Sequence, residues 1–439
     1  MQTKLNQLTK IAKRDRRFKF NNLMYLLNKE NLIECFYLLK KNVAVGVDGV
    51  TYKEYENDLE ANVEDLILRM KKWSYKPQAV RRVYILKSTG KKRPLGIPSI
   101  EDKMVQMCLN RILTAIFEAD FLDLSYGFRP GRNCHDAIER LDYLLKWNKV
   151  NYVIDADIKG FFDNMDHQWM IRMLKERIND KHLLRLLTRF LKNGYLEAGI
   201  EYKNTQGTPQ GGIISPVLAN IYLHYVLDLW FTKVVKKRTD GFIGMVRYAD
   251  DYIICTQYSR DAERVMTGLN NRLKKFNLEL SKEKSKLVLF GKFAREKAKR
   301  KGTKAGTFDF LGFTHYCDKD RKGYYKIGRR TSKDRRNAKL KEMKIWLKRV
   351  RNIKIAYWWP ILVAKLRGHY QYFGISGNYR SINSYFHQVK RLLFKWLNRR
   401  SQKRSFNGEG FLQYLNRYPL PKPKIYRNLY TNFAYKGEC

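Results

Sequence analysis

The chain has 439 residues, 88 of them Lys or Arg and 42 Asp or Glu, which gives a formal net charge of +46 and a pI near 10.0. Such a charge repels itself unless a polyanion takes it up, so an ordinary metabolic enzyme is excluded and nucleic acid is the expected partner. A hydrophobic fraction of 44% with 14% aromatic residues is too apolar for a disordered basic tail, and folded domains of about 150 residues each are expected.

In chain order, the start (MQTKLNQLTK) has no apolar core and is not a signal peptide. Apolar residues recurring three and four apart predict helices over 20–40, 54–72, 100–118, 134–147, 167–178, 182–193, 215–231 and 260–276. Between them, β-type runs occupy 82–86, 152–157, 242–248 with 252–256, 285–290 and 308–313. Helices and strands intermixed, with tight turns between neighbouring strands, predict an α+β body. Beyond residue 322 the pattern is mainly helical, with stripes at Leu340, Met343, Ile345 and Leu347 and again at Tyr385, Val389, Leu392, Leu393 and Trp396. The longest uncharged stretch, 204–227, contains Pro209, Pro216 and three glycines, so it reads as a buried element with a turn and not as a bilayer helix. No membrane partner is expected.

Six cysteines lie at 35, 108, 134, 255, 317 and 439 without a CxxC pair, so neither a zinc ribbon nor a disulfide framework is expected, and a reducing, cytoplasmic home follows. Charge is uneven: residues 321–439 hold 30 Lys and Arg against 4 Asp and Glu. A mixed-charge body is therefore followed by a strongly basic part, with a basic run at 292–304 between them.

Tyr248-Ala249-Asp250-Asp251 lies between two apolar runs, the pattern of a hairpin with two acids at its turn. Acids gathered in an otherwise positive protein either stay solvated or hold a cation, and hard oxygen ligands suit Mg²⁺. A second acid source is the run YVIDADIKGFFD, in which Asp155 and Asp157 are two apart and share one face of a strand. A strand-end acid facing a two-acid hairpin would build a site for two metal ions, the arrangement that activates a 3′-hydroxyl and stabilises a leaving pyrophosphate. The glycine-rich turn GTPQGGIISP at 207–216 lets backbone approach a ligand, and the basic hairpin at 81–98 offers Lys87 and Arg93 to a triphosphate.

These segments, with VGVDGV at 45–50, KKRPLGIPSIEDKMVQ at 91–106, SYGFRPGR at 125–132, DADIKGFFDNMDH at 155–167, RYADD at 247–251 and FLGF at 310–313, resemble the sequence blocks of group II intron-encoded reverse transcriptases, or maturases. The resemblance spans most of residues 30–400. It implies a right-hand polymerase: an N-terminal extension over 1–40, fingers and palm over 41–320, an α-helical thumb (domain X) over 321–398 and a small basic DNA-binding tail over 399–439. Asp157, Asp250 and Asp251 are then the catalytic acids, holding two Mg²⁺ with help from the Ile158 carbonyl. Asp155 and Asp163 match the pattern as supporting residues. Phe162 matches the residue that excludes a ribose 2′-hydroxyl, Lys87 and Arg93 those that contact the triphosphate, and Gln210 with Gly211 the turn beside the incoming nucleotide. The small Ala249 would let a primer end approach, and Lys284 is similar to a lysine-bearing element near the nucleotide. Arg129, Arg132, Arg329, Arg330, Lys333, Arg335 and Arg336 are implied contacts to nucleic acid. KLRGHYQYFG at 365–374 is similar to the thumb motif, where Tyr370, Tyr372 and Phe373 either stack on bases or pack a helix.

The implied function is an RNA-directed DNA polymerase that binds its group II intron RNA, assists splicing and copies the intron into DNA by target-primed reverse transcription. Its partners would be intron RNA, target DNA, a template–primer duplex and dNTPs, in a bacterial, RNA-associated setting. The His-Asn-His endonuclease of longer relatives is not matched, so cleavage of the second DNA strand is not expected. Alternatives are a splicing-only maturase, or a related reverse transcriptase adapted to defence or CRISPR spacer capture. Intact acids favour the polymerase, since a relic has no need to keep like charges adjacent.

Overall fold

The computed structural model describes the chain except for Val43, residues 87–91, Ala198, Thr205, Pro209, Gln210, Lys301, residues 401–404 and residues 430–439. The chain divides into two compact units, one built from Met1–Ala137 and Ile154–Lys286, the other from Ile138–Val153 and Leu287–Cys439. The expected boundary at 320 does not coincide with this division.

The first unit has an α+β core. Its strands β1 (Val80–Leu86) and β2 (Lys92–Ile97) form the basic hairpin, with Arg81 opposite Ile97 and Leu86 opposite Lys92. Strand β3 is Tyr152–Ala156. Two short strands that the sequence did not reveal, β4 (Tyr195–Glu197) and β5 (Ile200–Tyr202), extend the first sheet in the order β2-β1-β4-β5. Three residues are too few for alternation to register. In a second sheet β6 (Ile243–Tyr248) pairs antiparallel with β7 (Asp251–Thr256), which neighbours β3. The helix Ile100–Phe117 runs through the core, burying Met104, Leu109, Ile112 and Ile116 completely. Ser99 caps it by accepting from Asp102 N. The helix Gln2–Arg14 packs on it, with Thr9 Oγ1 donating to the Ala115 carbonyl at 3.0 Å. The pattern over 20–40 is interrupted, and only Lys29–Tyr37 is α-helical, capped by Asn28. The helix expected over 215–231 is α-helical through Ser215–Leu223 and then widens to a π-helical turn over His224–Asp228.

After β8 (Lys286–Leu289), the second unit holds an antiparallel sheet of β9 (Thr307–Phe310), β10 (Phe313–Lys319) and β11 (Tyr325–Thr331), with β10 in the middle. This corrects two expectations. The run 308–313 is split by a turn with Leu311 at φ 49° and Gly312 at φ 81°, and the chain beyond 322 begins with a strand before turning helical. Helices Lys333–Val350, Ile355–Phe373 and Tyr379–Leu397 follow. Asn378 ties them to β11, accepting from Thr331 N at 2.8 Å and donating to the Phe373 carbonyl at 2.8 Å. Among the described residues no helix is long and apolar enough to cross a membrane, and five cysteines are free thiols.

Candidate active site

The two acids sit on the β6–β7 hairpin. Tyr248 pairs with Asp251, so Ala249 and Asp250 make the whole turn, and Ala249 takes φ 57°. A residue with a Cβ resists that conformation, and a buried network holds it. Arg247, 0% exposed, forms a two-pronged ion pair with Asp228 from the π-helical turn. Its Nη1 donates to the Ala249 carbonyl at 2.9 Å and to Asn220 Oδ1 at 3.1 Å, and Asn220 Nδ2 in turn donates to the Gly127 carbonyl at 2.7 Å. Gly127 lies against the turn itself: a Cβ there would come within 2.3 Å of Ala249 N. The SYGF segment thus works as an edge for β6, with Tyr126 N donating to the Arg247 carbonyl at 2.8 Å.

Asp157 follows the end of β3 and is half-buried. Its N–H donates to Ser285 Oγ at 3.2 Å, its carbonyl accepts from Ser281 N at 2.8 Å, and its carboxylate accepts from Lys284 Nζ at 2.7 Å. Asp155, two residues before it, pairs with Lys286 Nζ at 3.4 Å. Ile158 is buried and forms a bridge with Leu280, fixing the backbone beside Asp157. Burial pushes the Asp250 carboxyl up, and the charge of Asp157 pushes it further, against Arg93 and Arg247. Burial also raises the phenol of Tyr252, 0% exposed, with the charges of Asp157 and Asp251 adding to it. The charge of Asp157 thus reaches Asp250, and the charges of Asp157 and Asp251 both reach Tyr252. Among the described residues no three His, Cys, Asp or Glu side chains are drawn close enough to hold an ion unaided. The donor set nevertheless fits a hard divalent cation: carboxylate oxygens that repel one another, one of them already balanced by an ammonium group.

Beside the acids, Phe161 packs inward against Tyr222, whereas Phe162 is only half-buried. The Phe162 carbonyl accepts from Thr208 N at 2.8 Å. Gly207, at φ 82°, approaches so closely that a Cβ would lie 2.7 Å from the Phe162 carbonyl oxygen. Gly211, at φ 115°, abuts β2, where a Cβ would meet Gly96 O at 2.7 Å. Gln106 Oε1 accepts from Ile213 N at 2.8 Å and fixes the far side of this turn. Arg93 is exposed on β2, opposite Ile85. Lys87 and Gln210 lie outside the described residues.

Two expected nucleic-acid contacts are corrected. Arg129 is 6% exposed, ion-paired with Glu118, and donates to the Leu122 and Ser125 carbonyls at 2.6 and 2.8 Å, so it braces the loop before the helix Cys134–Trp147. Arg329 is 0% exposed, paired with Asp142 and bound to the Ser376 carbonyl within the second unit. Arg132 is half-buried, pairs with Asp123 and lies over Tyr126. Arg330, Lys333 and Arg335 are exposed and Arg336 half-exposed. Tyr370 and Phe373 are buried and pack, and Tyr372 Oη donates to the Leu311 carbonyl at 2.8 Å. Sequence reasoning overlooked Arg247, Asp228 and Gln106. Arg247 stands beside the acids in RYADD, and a buried position next to a functional turn was the available signal.

The reverse transcriptase (RNA-dependent DNA polymerase) family matches residues 85–315, more than half of the chain. The chain is 35% identical over 295 residues to the group II intron-encoded protein LtrA of Lactococcus lactis subsp. cremoris, covering 67% of this chain and 47% of that protein. It is 34% identical over 237 residues to protein YkfC of Escherichia coli, covering 48% and 62% respectively. Over 97 residues it is 32% identical to nuclear intron maturase 1, mitochondrial, of Arabidopsis thaliana, which is 22% of this chain and 13% of that protein. The chain thus spans about half the length of the first of these relatives. With the acids, the glycine turn and the half-buried phenylalanine inside the matched region, the chain belongs to the reverse transcriptase family.

Proposed function

We propose that the protein is an RNA-directed DNA polymerase that binds a group II intron RNA, assists its splicing and copies it into DNA from a primer at a DNA target. The observation that carries this reading is the placement of Asp157, after the end of β3, beside the β6–β7 hairpin that bears Asp250 and Asp251, β7 being the neighbour of β3 and the Asp157 charge acting on Asp250. Asp157, Asp250 and Asp251, with the Ile158 carbonyl, would hold two Mg²⁺. Bound there, the ions supply Lewis-acid activation of the primer 3′-hydroxyl and charge neutralisation at the leaving pyrophosphate. The remaining roles belong to the chain. Phe162 closes the space a ribose 2′-hydroxyl would fill, Arg93 and Lys87 bind the triphosphate, and Gln210 and Gly211 pack against the nucleotide. The first unit would then supply fingers and palm, with Arg132 as a phosphate contact, and the helices of the second a thumb, with Arg330, Lys333, Arg335 and Arg336 on phosphates. The setting would be cytoplasmic, with intron RNA, target DNA and dNTPs as partners.

Primer extension on an RNA template with dNTPs and Mg²⁺ tests this, with Asp250→Ala alongside. Full-length cDNA from the wild type alone, with RNA affinity unchanged in the variant, is expected. RNA binding without any product would leave a splicing-only maturase, and synthesis by Asp250→Ala would remove the site.

A further inference from the structure

Phe162, the proposed sugar gate, lies in neither a helix nor a strand, so no ladder of backbone bonds fixes it. What holds it is the start of the glycine turn, laid alongside residues 162–167 and bound to them at three points. Thr208 N donates to the Phe162 carbonyl at 2.8 Å, and Gly207 N donates to the Met165 carbonyl at 2.7 Å. The third bond comes from a side chain: His167 Nε2 stands 2.6 Å from the Gly207 carbonyl oxygen. A carbonyl only accepts, so Nε2 carries the proton and donates. Gly207 is thus bound through both its N–H and its C=O, and the contact is as close as backbone allows: a Cβ there would come within 2.6 Å of the Asp163 carbonyl oxygen.

His167 is a fixed post. It is the first residue of the helix His167–Leu174 and only 9% exposed. Asp166 caps that helix by accepting from Trp169 N at 2.8 Å, and it also accepts from Asn277 Nδ2 at 2.8 Å. The Trp169 ring lies 4.5 Å from the ring of Phe276, so the helix is tied down on the side away from the turn. At the other edge Thr208, 4% exposed, shares a hydrogen bond of 3.1 Å with Ser215, where the next helix starts. The two backbone bonds are open to almost any sequence that keeps Gly207. The imidazole is what this sequence adds, and it ties the turn to an anchored helix.

We propose that His167 is a positioning residue for the sugar gate: its bond to Gly207 keeps the turn seated on the Phe162 backbone, and so keeps the Phe162 ring where a ribose 2′-hydroxyl would meet it. The proposal rests on the reading of Phe162 as that gate and adds the residue that holds it in place. Without the bond the turn loosens, the ring gains room to yield, and ribonucleotides are discriminated less; one buried hydrogen bond between uncharged groups corresponds to about five-fold.

The test is single-nucleotide primer extension by the full chain on an RNA template with Mg²⁺, with kcat/KM measured for a dNTP and for the matching rNTP. His167→Phe keeps the ring volume and removes the donor, and it should raise the rNTP to dNTP ratio about five-fold. A merely damaged fold lowers both rates together and leaves the ratio alone. In a Phe162→Ala background the same substitution should change the ratio no further, because the gate it acts through is gone. If His167→Phe does not fold, Gly207→Ala takes its place, since its Cβ would part the two segments. A ratio unchanged by His167→Phe, or by Gly207→Ala in its stead, while Phe162→Ala raises it, would overturn the role of His167 and leave the gate standing. An equal rise with and without Phe162 would also overturn it. A ratio unmoved by Phe162→Ala would overturn the gate and this proposal together.

Discussion

Phe162 and its neighbour Phe161 are chemically identical, yet the fold uses them differently. Phe161 is 2% exposed in the core, and Phe162 is half-buried beside the Gly207–Thr208 backbone. Phe162→Ala should therefore cost little stability and raise ribonucleotide incorporation, measured as the ratio of rNTP to dNTP use in primer extension; an unchanged ratio would refute a gating role. Asp102 gives a prediction about pH. Its carboxyl is 1% exposed and accepts from Tyr75 Oη and Gln78 N, and burial pushes it up to about 6 against the pull of those hydrogen bonds. The ordinary value is about 3.9, so the folded state holds this proton more tightly than the unfolded chain. The resulting stabilisation is complete below about pH 4 and is lost as pH rises through about 6. Asp102→Asn cannot lose it. The melting temperature of that variant relative to wild type should rise between about pH 4.5 and about pH 7.5, and a constant difference would count against the shift.

At the scale of elements, the hairpin that carries Asp250 and Asp251 owes its shape to residues outside it. Arg247 and Asp228 are both fully buried, so removing one leaves the other charged without a counter-ion. Asp228→Ala should cost about 3–5 kcal/mol, seen in chemical denaturation, whereas an apolar replacement of both partners should cost much less. The hairpin itself was legible because two apolar runs flank a polar turn of minimal length. The segments that carry the candidate site residues were legible too, since short motifs keep acids, glycines and the phenylalanine in fixed local order. What escaped were pairings between distant residues. Arg329 and Asp142 stand 187 positions apart, and nothing local marks either as buried. In β11, Tyr325, Ile327 and Arg329 alternate with Lys326, Gly328 and Arg330, so a buried arginine hides the period-two pattern in a stretch that reads as mainly helical. The π-helical turn over His224–Asp228 escaped as well, because its apolar content is indistinguishable from an ordinary helix.

For the whole molecule, +46 is a statement about salt. Each phosphate neutralised releases counter-ions, so RNA affinity should fall linearly on a log–log plot against salt concentration. Replacing Arg330, Lys333 and Arg335 together by Gln should reduce the slope by about 2 for single-stranded RNA. Arg129→Gln should leave the slope alone and lower the melting temperature, because that guanidinium is spent on Glu118 and backbone carbonyls. Equal slopes for the triple variant and the wild type would mean that the phosphate track runs elsewhere.

The contact between Lys284 Nζ and Asp157 at 2.7 Å bears on how such a protein waits between encounters with substrate. The lysine is a tethered counter-ion, 68% exposed on its side chain and free to swing, so the acidic corner need not be charge-balanced by a divalent ion for the chain to stay folded. Were the aspartates to hold Mg²⁺ as proposed, loading the site would exchange one cation for another. On that proposal a chelator should stop DNA synthesis and leave the melting temperature unchanged.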